Sequence, residues 1–520
     1  MLQQHLLAVV VVFAVVALIV TVAAVLFQRV SSIPNDLLAV GAMAVLGLLG
    51  WLAFGAWFVD PKLGVCFTVL VLIGVTGMAI RDRRDIAKLC KNSPELCWQS
   101  GLICCVALVY VGHLHLFETE LGIEPLAANR YLERLPIDNS ISRIFADRVI
   151  DRTDSATLVG DWLSSDRAPL QTGLILWFHP IGQLFGFSHK VFAHATAFTF
   201  QLFWIPAVWA FCAHLRLRTG VIVALIATLG ISATPLINSN YVWPKLAAAA
   251  ALLGAYTVYF RNSPHPPGTN QVVLSVVLAA LAWLSHGGVA FALVALVPLI
   301  ALHRPPKAKS AATAVGIGFL LVLPWFAYQN LYDPPGNRLL KWHLAGVIDI
   351  DPRGFPATLI DSYEDSTLEE IVANKRANFR YPFIFASHGW ASFPSNEAAS
   401  NRVNSFYFLF SSLGPWNVAW LGLAWVAWRW FRQLPSNLRT EDDRRNWGNW
   451  FRAAFWTGST FVAWALLMFG PATTSIHQGS LTLPLVLQTL LMALTLKIHR
   501  GVFAVLAGWQ CVLFVLVWVP

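Results

Sequence analysis

Asp138 and Asn139 follow Leu135-Pro136-Ile137 in the stretch LPIDNSISRIFADRVID. A carboxylate at the edge of an apolar chain can take a proton from a hydroxyl, which is general-base work. Further on, Gly160-Asp161-Trp162 leads through Asp166 and Arg167 to Ala168-Pro169-Leu170, where an apolar segment opens. There a guanidinium and a helix N-terminus can face one phosphate. Lys245 in NSNYVWPK, and Arg338 and Lys341 in DPPGNRLLKWH, offer more cations for the same kind of anion. The combined chemistry is removal of a proton beside stabilisation of a departing anion.

Each of these residues also has a plainer role open to it. Asp138 and Asn139 can form a turn after Pro136, and Arg167 can snorkel or pair with Asp166. Asp161 and Asp166 are either a second carboxylate for the site or N-caps of short helices, and capping suits Asp166 better. Lys245 can anchor at the interface beside Tyr241 and Trp243. Arg338 and Lys341, three apart, would share one helix face, with Trp342 at the interface, as phosphate ligands or as a solvated amphipathic turn. His477, in SIHQGS between two apolar runs, has a side chain suited to proton transfer or to a polar loop. His286 in LSHGG ranks below it. Asn139, Arg143, Asp166, Asn240 and His343 are further polar groups at the same boundary. No HxxH or carboxylate cluster points to a metal.

The elements that must position these groups are apolar helices. The chain has 520 residues, 57% hydrophobic and 12% charged, and a mean hydropathy of +0.60, too apolar for a soluble domain of this size. The fold class expected is an all-α polytopic membrane protein. Apolar windows near 5–27, 36–58, 64–80, 101–117, 191–213, 219–236, 242–260, 271–287, 288–303, 311–328, 405–430, 451–470, 480–497 and 502–519 predict about 12–14 transmembrane helices.

The 36 Lys and Arg against 27 Asp and Glu leave a net charge of +9, which we use for topology rather than for nucleic-acid binding. Clusters at Arg81–Lys91, Arg216 and Arg218, Arg304–Lys309, Arg429–Arg445, and Lys497 with Arg500 are assigned to the cytoplasm. Segments 118–190 and 328–404 then face outside. That orientation closes only if Leu170 to Phe187 does not cross, so a helix lying along or dipping into the outer interface is expected there. The division is 1–117 as four N-terminal spans, 118–190 as an external catalytic loop with interfacial helices, 191–328 as a transmembrane bundle, 329–404 as a second external loop and 405–520 as C-terminal spans. The seven cysteines fall mostly in apolar runs with no CxxC pairing, which suggests neither disulfides nor a metal site.

The order Asp138-Asn139, Gly160-Asp161-Trp162, Arg167-Ala168-Pro169-Leu170 resembles the first external loop of the GT-C membrane glycosyltransferases, in particular the branch of protein O-mannosyltransferases and lipid A aminoarabinose transferases. Those enzymes carry Asp-Glu, a Gly-Asp-Trp-like step and a basic residue before Pro-Pro-Leu. Here Asn139 stands for the Glu and Ala168 for the first proline. The resemblance covers about 135–175, and continues as hydropathy and loop order over 190–330. It does not extend to the four N-terminal spans.

The resemblance implies a GT-C-like, inverting glycosyltransferase that takes a sugar from a polyprenyl-phosphate donor and passes it to a glycan, lipid or protein acceptor. Asp138 would be the base, with Asp161 and His477 as further catalytic candidates. Arg167, Lys245, Arg338 and Lys341 would be the donor-phosphate ligands, Arg167 at the step where the family's basic residue meets the lipid carrier. The expected location is the bacterial plasma (inner) membrane, with the site facing the periplasm. The lipid-linked sugar is the donor substrate, and membrane lipids are the other partners. Two other classes stay open: an O-antigen-type polymerase or ligase, and a lipid-linked sugar flippase or transporter. The latter should carry mid-span charges or broken helices.

Overall fold

The computed structural model describes residues 1–30, 33–116, 123, 137–261, 266–383, 409–422, 441–470 and 481–518. Among these the chain is helical, with no β-strand beyond an isolated bridge between Val159 and Trp162. Among the described residues six helices are long and apolar enough to cross a membrane: Leu2–Arg29, Asn35–Val59, Pro61–Arg81, Pro94–His115, His189–His214 and Ala308–Leu331. The protein is an all-α membrane protein.

The expected 12–14 spans are not reached by length among the described residues. Five further apolar helices, Lys245–Phe260, Thr269–Ser285, Gly287–His303, Thr482–Ile498 and Arg500–Leu516, have only 10–17 residues. At ~1.5 Å per residue a helix of this size falls short of a ~30 Å hydrocarbon core. The 219–236 window is a broken pair, Thr219–Gly230 and Ala233–Asn240, bent by 63°. Ser232 makes the break: its hydroxyl donates to the Leu229 carbonyl at 2.7 Å while its backbone is extended. Hydropathy windows run through such breaks because apolar residues stand on both sides of them.

The helix Leu170–Leu184 is enclosed rather than laid along the lipid surface. It packs against Leu38–Val59, His189–Gln201, Ile141–Asp151 and Pro61–Arg81, and all but three of its fifteen residues are buried. Gly50 and Gly173 permit the tightest contact, since a Cβ on Gly173 would lie 2.1 Å from the Gly50 carbonyl oxygen. Thr68 adds a buried hydrogen bond to the Trp177 carbonyl at 3.0 Å. The N-terminal helices are therefore a wall of the structure that carries the candidate residues, and protein rather than lipid surrounds Gln171 and His179. All seven cysteines are free thiols.

Candidate functional site

Asp138 lies in the 3-10 turn Ile137–Ser140, just ahead of the helix Ile141–Asp151. Its side chain and that of Arg167 are each 5% exposed and form an ion pair. The other carboxylate oxygen accepts the Trp243 indole N–H at 2.7 Å. Arg167 also donates to the Asp166 carbonyl at 3.1 Å, stacks over the Trp162 ring at 4.7 Å, and keeps an Nε–H with no hydrogen-bond partner.

Lys245 starts the helix Lys245–Phe260 and is buried. Its ammonium sits 3.8 Å from the centroid of the Trp243 ring, within electrostatic reach of Asp138 and Arg167. Among the described residues it forms no salt bridge. The Asp138–Arg167 pair cancels, so with Lys245 protonated this buried cluster carries one net positive charge. A buried cation without a counter-ion is costly unless an anion arrives.

Two histidines complete the cluster. His286, ranked last from sequence, lies within electrostatic reach of Lys245, Arg167 and His343. Its Nδ1 accepts the Gly288 N–H at 3.0 Å, which puts the proton of the neutral ring on Nε2 and makes that nitrogen a donor. His343 has an Nδ1 with no hydrogen-bond partner. Burial, then the charges of Lys245 and Arg167, push its pKa down from 6.5 to about 3, so it is a neutral imidazole at physiological pH.

The other candidates have partners of their own, with Asp166 and Arg338 directly beside Arg167. Asp166 caps its own 3-10 turn, accepting the Leu163 N–H at 2.9 Å; burial raises its pKa above 3.8. Arg338 reaches Asp166 at 3.1 Å and Asp161 at 3.4 Å, and the Asp161 side chain is 75% exposed at the rim. Arg338 and Lys341 are joined by helical backbone yet reach different partners. Lys341 donates instead to the carbonyls of Asp351 at 2.6 Å and Arg353 at 2.5 Å. His477 falls outside the described residues.

Asn139, Arg143, Gln171, His194 and Val242 line a separate small cavity. Arg143 pairs with Asp147. Asn240 belongs to a separate network in which its carbonyl meets His194 Nε2 at 2.9 Å, His194 Nδ1 meets His5 Nε2 at 3.2 Å, and His5 Nδ1 meets His115 Nε2 at 2.9 Å. A carbonyl only accepts, so each neutral imidazole in that chain carries its proton on Nε2.

Sequence reasoning undervalued Trp243 and His286. The signal for the first was an indole just before Pro244-Lys245; for the second it was His-Gly-Gly, in which the ring can cap the turn that follows. No family model, curated protein or solved structure matches this chain.

Proposed function

We propose that the chain is a membrane glycosyltransferase that takes a sugar from a polyprenyl-phosphate-linked donor, with a GT-C-like architecture and the site on the periplasmic side of a bacterial inner membrane. The observation that carries this reading is the buried Lys245 amine, with no salt bridge among the described residues, beside the Asp138–Arg167 ion pair. One unpaired ammonium beside a cancelled ion pair matches a phosphodiester, which bears a single negative charge.

The acceptor hydroxyl attacks the anomeric carbon, the bond from that carbon to the phosphate oxygen breaks, and polyprenyl phosphate leaves with one more negative charge. Lys245, the free Arg167 Nε–H and the His286 Nε2–H supply donors for that growing charge. Asp138 orients Arg167 and Trp243 through both of its oxygens. The acceptor proton goes to the remaining lone pairs of Asp138 or to His343, whose unpartnered Nδ1 gains proton affinity once the phosphate offsets the cations beside it.

The test is release of free polyprenyl phosphate in proteoliposomes from a panel of polyprenyl-phosphate-linked hexoses and pentoses. Release from at least one donor, abolished in Lys245→Met, is expected. No release from any donor, with folded protein present, overturns the proposal.

A further inference from the structure

Helix Ala233–Asn240 ends at Tyr241, and the next residue, Val242, has φ +54°. This left-handed conformation after a helix end normally falls to glycine, and it is strained for a β-branched residue. Two buried glutamines surround the strained position. Gln171 Nε2 donates to the Val242 carbonyl at 2.9 Å, Gln201 Nε2 donates to Gln171 Oε1 at 3.1 Å, and Gln201 Oε1 accepts the Ala247 N–H at 2.9 Å. That N–H lies in the first turn of Lys245–Phe260, where a backbone donor has no partner within its helix. The two amides thus tie the carbonyl before Trp243-Pro244-Lys245-Leu246 to the N–H after it.

We infer that Gln171 and Gln201 are positioning residues: they clamp Val242 in its strained conformation and so hold the Trp243 indole on Asp138 and the Lys245 ammonium where the donor phosphate binds. If Val242 relaxed to an ordinary conformation, the chain direction into Trp243 would change and both groups would leave the cluster. This inference rests on the lipid-phosphate reading of the site.

The experiment measures affinity for undecaprenyl monophosphate on the full chain in detergent, together with the melting temperature. Gln171→Met is expected to weaken binding about tenfold. In a Val242→Gly background the same substitution should have little effect, because glycine takes the left-handed conformation without a clamp. A general packing role would give equal losses in both backgrounds and would overturn the inference. If Gln171→Met does not fold, Gln201→Met is used with the same expectation. If neither folds with Val242 present, both are made in the Val242→Gly background, where folded protein of wild-type affinity is required; failure to fold or to bind there overturns the clamp. If the wild-type chain itself does not bind the lipid, the phosphate reading fails, and the clamp proposed to serve it fails for that separate reason.

Discussion

Two buried lysines divide the molecule. Lys245 and Lys341 are 4% and 1% exposed, and from sequence both are cations on the outer side of an apolar run. Lys341 is met by two backbone carbonyls and closes the turn over 341–353. Lys245 has an indole face and no carboxylate. The difference teaches that burial alone does not separate the two cations; what separates them is whether the protein supplies the partner, and the proposed phosphate would fill that place at Lys245. Arg167 and Arg338 differ in the same way. Both ride on Trp162, but Arg338 Nε donates to the Ile348 carbonyl at 3.0 Å, whereas Arg167 Nε has no partner.

The comparison breaks most visibly with paired substitutions. Lys245→Met should lower undecaprenyl phosphate affinity by about a hundredfold while leaving the melting temperature equal or higher, because it removes an unpaired buried charge. Lys341→Met should do the opposite, leaving two carbonyls unsatisfied at ~1–3 kcal/mol each and lowering the melting temperature, with affinity retained in the folded protein. Equal effects in both readouts would dissolve the distinction.

Next in size is the ion pair. Arg167→Leu breaks the buried pair and leaves Asp138 with only the more distant Lys245 charge, at ~3–5 kcal/mol, which a chemical unfolding curve in detergent would register. Adding Asp138→Asn should recover most of that stability without recovering lipid binding. Recovery of both would mean that the pair is structural only.

The smallest expected effect is that of pH. His343 has a folded pKa of about 3 against an ordinary 6.5, so between those values the unfolded chain binds more protons and stability rises with pH. Asp166, raised by burial above its ordinary 3.8, works against this rise just above that value. The quantity to compare is therefore the slope of the wild-type chain minus that of His343→Asn. A flatter profile in the variant is expected, and an identical one would remove His343 from the cationic cluster.

Much of the site was legible in the chain. Asp138, Arg167 and Lys245 were marked by polarity placed against apolar runs, and they converge. Asp166 reads as a cap from its position before a turn, and it is one. What was not legible depends on contacts that sequence spacing does not carry. The partners of Lys341 come from a turn ten residues on, and Arg338 meets Asp166, 172 residues back in the chain. Span lengths were overread for a related reason: hydropathy measures composition, while the breaks at Ser232 and Gly287–Gly288 are set by caps. The enclosure of Leu170–Leu184 follows from a glycine contact between helices distant in sequence.

The central claim is that the Lys245 ammonium binds the phosphate of a polyprenyl lipid, and the most direct test is a cryo-EM structure of the full chain with undecaprenyl phosphate. The phosphate should lie within hydrogen-bond distance of Lys245 Nζ and Arg167 Nε. A phosphate bound at Lys341 instead, or a lipid seated with its headgroup away from Lys245, would contradict the account.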